Sequence, residues 1–158
     1  MKTSIKRGLG FGITSGVITT LGLIIGLYSS TNSKITIIGG IIIIAVADSL
    51  SDAFGIHISE EYASKNKEKD IWRATFSTLF FKFIFAITFI IPFLFFKLSL
   101  AIIINIIWGL VLISIFSYYT AKKHKTSVKK AVLEHLAISI VVIVLTYFIG
   151  MFIGKVFA

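Results

Sequence analysis

Five long apolar runs, joined by short polar connectors, constrain this chain more than any other feature. A helix needs about 20 apolar residues to cross a hydrocarbon core of roughly 30 Å. Segments 8–27, 35–62, 74–96, 98–119 and 131–157 each reach that length, the second with an acidic second half. In lipid every backbone amide must be bonded within a helix or a closed barrel. The alternating apolar–polar pattern of barrel strands is absent. The reading is therefore an all-α, polytopic membrane protein of five transmembrane helices, built as a single transmembrane domain over 1–158. Composition agrees. Hydrophobic residues make up 56% and charged residues 15%, where a soluble domain carries about a quarter charged. The chain has no Cys, which excludes disulfides and thiolate metal sites.

The net charge is +9, yet its placement argues against nucleic acid as a partner. The Lys and Arg residues fall in the connectors, the pattern of charges flanking membrane spans. Lys2, Lys6 and Arg7 precede the first span. Lys65, Lys67, Lys69 and Arg73 follow the second, and Lys122, Lys123, Lys125, Lys129 and Lys130 follow the fourth. The other side has Lys34, Lys97 and Lys155, while Lys82 lies inside the third span. The excess predicts a cytoplasmic N-terminus and an outer C-terminus, as an odd number of spans requires. "MKTSIKRGLG" is followed by a run long enough to span, so the first segment reads as a retained helix, not a cleaved signal. "ASKNKEKDIWR" reads as an extension of the second helix by a turn or two beyond the bilayer.

The first span, "GLGFGITSGVITTLGLIIG", is rich in small residues. Gly12 and Gly16 are four apart, as are Gly22 and Gly26, a spacing that lets helices approach closely in lipid. Tight packing within the bundle is the minimum reading. Thr14, Ser15, Thr19 and Thr20 make a helix lining a polar path the sharper one.

The acidic half of the second span carries the chemistry. A charge at the bilayer centre costs about 2.5–3.5 kcal/mol on insertion scales. Asp48 and Asp52 are an i,i+4 pair on one helical face, and Gly55 and Ser59 continue that stripe. Asp52 lies roughly 15 Å deep if Tyr62 marks the interface. Two carboxylates on one face can hold a hard divalent cation or share one proton; both are transport chemistry. Lys82 should reach the same depth as Asp52, so a buried Asp52–Lys82 ion pair is an alternative compatible with transport. Asp48 is deeper and has no evident basic partner, which strengthens its functional reading. His57 and Glu61 form a second stripe, and Glu60 lies about 80° round from Asp52. A solvated helix end accounts for Glu61, a hydrogen-bonded packing role for His57, and a solvated helix start for Glu134 and His135. No nucleophile–base pair, phosphate-binding Gly loop or HExxH occurs, so an enzyme is not expected.

Three stretches resemble the vacuolar iron transporter family of five-helix iron and manganese transporters. "TSGVITTLGLIIGL" is similar to that family's NDGxxxTxxxxxG pattern. "LSDAFGIHISEEYAS" is similar to its second-helix pattern, an acidic or small residue followed by FSMxxGEYxS. "TYFIGMFIG" is similar to its TYxIGxxxG ending. The resemblance implies a proton-coupled carrier that moves Fe²⁺ or Mn²⁺ out of the cytoplasm. It also implies a homodimer whose first helices line the path. Metal is then the transported substrate, with no cofactor bound permanently. The family's first-span Asp falls on Ser15. Its second-helix Met falls on Ile56, or on His57 if the register slips by one, and its helix-end acid on Glu60 or Glu61. Asp52 matches an acidic position of some members, and Asp48 stands on the neighbouring helix where it can replace the missing first-span carboxylate. The long cytoplasmic metal-binding insertion of some relatives is absent.

The resulting expectation is a divalent-cation transporter of the cell membrane. Asp48, Asp52 and Glu60 are its hard-oxygen ligands, His57 and Glu61 are nearby metal candidates, and Thr14, Ser15 and Thr19 line the path. The alternative is a non-transporting relative with a structural or regulatory role, held together by the Asp52–Lys82 pair.

Overall fold

The computed structural model describes residues 3–63 and 67–157; Lys2 and Lys65 of the charge count lie outside them. The described residues form helices with no strand. These are α1 (Thr3–Thr31), α2 (Lys34–Tyr62), α3 (Glu68–Thr88), the short α4 (Ile91–Phe95), α5 (Leu98–His124) and α6 (Val128–Phe157). Five helical stretches are long and apolar enough to cross a membrane, α3 and α4 counting as one.

The helices run further than the apolar runs, and at α2, α3 and α5 the polar ends are capped or carry favourable charge. Ser33 caps α2, its Oγ accepting from the Thr36 amide at 3.3 Å. Glu68 and Asp70 sit in the first turn of α3, where the positive end of the helix dipole favours them. Residues 68–73, expected to prolong the second helix, instead begin the third; α2 ends at Tyr62 with Ala63 as its cap. The third span is also not one continuous helix. Pro92 has no amide hydrogen to continue the ladder, and the chain tightens at Phe89 and Ile90, whose amides bond back three residues to Ala86 and Ile87.

At the centre stands α1. Of its most apolar stretch 56% is buried, against 11% for α6. Val17, Leu21, Ile24 and Ile25 form the core with Ile37, Ile41, Phe89, Phe93, Ile102 and Ile113. Large apolar side chains such as Ile43, Phe54, Phe148 and Phe152 point outward. Lipid solvates such a surface, whereas water would drive it to aggregate.

The glycines of α1 set its neighbours. Gly8, Gly12 and Gly16 face α3. A Cβ on Gly12 would lie 2.9 Å from the Thr78 carbonyl oxygen and 3.1 Å from the Lys82 amide nitrogen. Gly22 and Gly26 face Thr146 of α6, and a Cβ on Gly150 of α6 would come within 2.3 Å of the Gly26 carbonyl oxygen. These small residues therefore pack within one chain, the minimum reading of their spacing. Gly12→Leu is expected to push α3 off α1 and cost about 1–3 kcal/mol of stability, the usual range for overpacking. A thermal melt followed by Trp fluorescence would register it, and an unchanged midpoint would contradict this contact.

Candidate functional site: a carboxylate pair held by a lysine

Asp48 lies midway along α2, with Asp52 one turn on. Opposite, on antiparallel α1, Ser15 and Thr19 have the same four-residue spacing. The two pairs meet rung by rung. Ser15 Oγ donates to Asp52 Oδ2 at 2.7 Å, and Thr19 Oγ1 lies 3.0 Å from Asp48 Oδ2. Thr19 Oγ1 is also 2.9 Å from the Ser15 carbonyl oxygen, so its one proton is shared.

The third side comes from α3. Lys82 is only 1% exposed, and the glycine ridge of α1 brings its backbone near. Gly16 lies against the Lys82 side chain and carbonyl. The Lys82 ammonium donates to Asp52 Oδ2 and to Ser15 Oγ at 2.9 Å, and forms an ion pair with Asp48 Oδ2 at 2.6 Å. One cation thus stands between two carboxylates and a hydroxyl.

Two features leave this site unfinished as an ion pair. Two carboxylates against one ammonium carry one negative charge too many. All the contacts described use Oδ2, while the Oδ1 atoms make no hydrogen bond within the described chain. The carboxylates stay partly open, with side chains 27% and 22% exposed in the single chain.

The expected Asp52–Lys82 pair is present. The expectation that Asp48 lacks a basic partner is corrected: the four-residue spacing that aligns it with Asp52 brings both within reach of the same ammonium. Glu60 does not join them. It lies two turns beyond Asp52 and turns to α1, where Arg7 Nη1 reaches both its oxygens at 2.7 Å. Sequence reasoning missed this pair. By sequence Arg7 is a flanking charge, and nothing local to either residue encodes a contact across two helices.

His57 faces α3, away from the carboxylates. His57 Nδ1 lies 3.0 Å from Thr75 Oγ1, which also bonds the Ile71 carbonyl oxygen. The ring also packs on Trp72, centroid to centroid 4.6 Å. Glu61 is exposed at the helix end. Thr14 bonds its own helix at the Gly10 carbonyl, and Thr20 is buried without a hydrogen-bond partner. Glu134 pairs loosely with Lys130 at 3.8 Å, and His135 bonds Ser117 at 2.6 Å. Among the described residues no three of His, Cys, Asp and Glu gather closely enough to hold a metal ion. The five-residue ligand set expected from the second helix is therefore not assembled within the chain. What is assembled is an oxygen cage of Asp48, Asp52, Ser15 and Thr19.

A bundle of helices long and apolar enough to cross a membrane, with a carboxylate pair and a lysine at mid-span, defines an integral membrane protein with a charged cluster in its interior. The sequence model of the VIT family matches residues 52–151, well over half the chain. The chain belongs to the VIT family, the vacuolar iron transporters that its motifs resemble, and membership supports a general role in metal-ion transport. Asp52 and Lys82 fall within the matched segment, whereas Ser15, Thr19 and Asp48 precede it. Among curated proteins, none matches the chain.

Proposed function

We propose that the protein carries a divalent cation of the Fe²⁺/Mn²⁺ type through the cage formed by Asp48, Asp52, Ser15 and Thr19. A single observation carries this reading: two half-buried carboxylates converge on one point, and a cation, the Lys82 ammonium, stands there. The donor set is oxygen only, which suits hard divalent ions. Lys82 acts as the resident cation, and the transported ion takes over its carboxylates. A divalent ion entering a site that already holds one positive charge requires positive charge to leave. That balance supports exchange against protons, and export from the cytoplasm is the direction that the family resemblance implies.

A homodimer completes the reading. A groove of about 510 Å³ runs between α2 and α6, with Ile18 and Thr19 of central α1 among its lining. A second copy over this strip would close the site from lipid. A cytoplasmic N-terminus follows from the flanking charges.

One observation favours a second reading. Lys82 is fully buried and bonded to three oxygens, so a non-transporting member could keep the cluster only as a structural brace.

The test is uptake of Mn²⁺ and Fe²⁺ by proteoliposomes under an imposed pH gradient. Saturable uptake that collapses with a proton ionophore is expected. Uptake no greater than in protein-free vesicles would leave the brace.

A further inference from the structure

A cavity of about 620 Å³ opens between the first turns of α1 and the facing ends of α5 and α6. Lys6 and Arg7 enter it from α1, Lys123 and His124 from α5. No Asp or Glu lines it. Arg7 shares its charge with Glu60 through Nη1, but Lys6 and Lys123 form no ion pair among the described residues.

Helix dipoles explain only half of this gathering. Cations in the last turn of α5 sit at the negative end of that helix, where they belong. Lys6 and Arg7 lie near the start of α1, at the positive end, where the dipole opposes them. Like charges brought together from two helices against a dipole form a site for an anion. A transported metal ion would be repelled there.

We propose that this cavity seats the phosphate of an anionic membrane lipid between Lys6 and Lys123. The source is the bilayer rather than solution because the cavity wall changes character toward the spans. Leu9 and Phe116 line it beside the cations, a surface suited to the glycerol and first acyl methylenes. Basic pockets between helices at the cytoplasmic ends of spans recognise lipid headgroups by this combination. The bound lipid would tie α1 to α5 at the end where Arg7 meets Glu60. This inference is independent of the transport reading, since it uses neither carboxylate of the central cage.

The test uses the full chain, purified from membranes containing phosphatidylglycerol and phosphatidylcholine, with retained lipid counted by native mass spectrometry. About one phosphatidylglycerol per chain is expected, and Lys6→Ala with Lys123→Ala should lower retention about tenfold or more. Lys6→Arg with Lys123→Arg should keep it. Phosphatidylglycerol should also raise the melting temperature of the wild-type protein, while phosphatidylcholine and inorganic phosphate should not. Equal retention of the two lipids by wild type, undiminished retention by the Ala pair, or equal protection by inorganic phosphate would each overturn the proposal. The wild-type comparison decides even if the Ala pair fails to fold.

Discussion

Lys82→Met is expected to melt on the order of 10 °C below wild type in metal-free buffer and to regain much of that loss with Mn²⁺. Removing the ammonium strands Asp48 and Asp52 against each other at mid-span, with Ser15 and Thr19 as their remaining partners. Breaking a buried ion pair from one side costs about 3–5 kcal/mol, and each kcal/mol moves the midpoint of a chain this size by about 2–4 °C. The Met side chain fills most of the lysine's volume, so the loss reads charge, not a cavity. If the cage is a cation site, an added divalent ion does what the ammonium did. At 100 times its dissociation constant it restores about 2.7 kcal/mol. If the cluster is only a brace, Mn²⁺ and a monovalent control should behave alike. The melt with and without Mn²⁺ therefore separates the two readings without requiring transport.

The parts of this site that could be read from the sequence are those that depend on one helix at a time. The i,i+4 spacing puts Asp48 and Asp52 on one face wherever that helix packs. The position of Lys82 along its span predicts its depth, and hence its meeting with Asp52. Glycine spacing marks α1 as a helix with close neighbours. Relations between helices were harder. That one lysine serves both carboxylates depends on how α3 is rotated against α1, which the backbone contacts at Gly12 and Gly16 decide. The Arg7–Glu60 pair depends on the vertical register of α1 against α2. Neither quantity has a local signature, so the sequence shows no partner for Asp48 and none for Glu60. His57 shows the converse. Its ligand chemistry is real, but rotation turns it to Thr75 and Trp72.

Ser15 links the sequence comparison to the chemistry. The resemblance puts the family's first-span carboxylate at this position, and the structure has a hydroxyl there that donates to Asp52 and accepts from Lys82. Asp48 lies one rung along, opposite Thr19. The cage therefore keeps two carboxylates while drawing both from α2.

The surplus negative charge of the cage is the centre of this account, and Asp52→Asn removes it with little other change. Lys82 keeps Asp48 at 2.6 Å, so no buried charge is stranded, and the amide keeps the shape of the acid. The variant should fold as wild type does. The cage is then neutral, and a divalent ion loses a hard ligand whose charged contacts are worth up to about 3 kcal/mol, or roughly 100-fold in affinity. The direct measurement is the initial rate of Mn²⁺ uptake by proteoliposomes holding equal amounts of folded wild-type and Asp52→Asn protein. The account predicts saturable uptake by wild type and a rate near the protein-free level for the variant. Equal rates for the two proteins would contradict it.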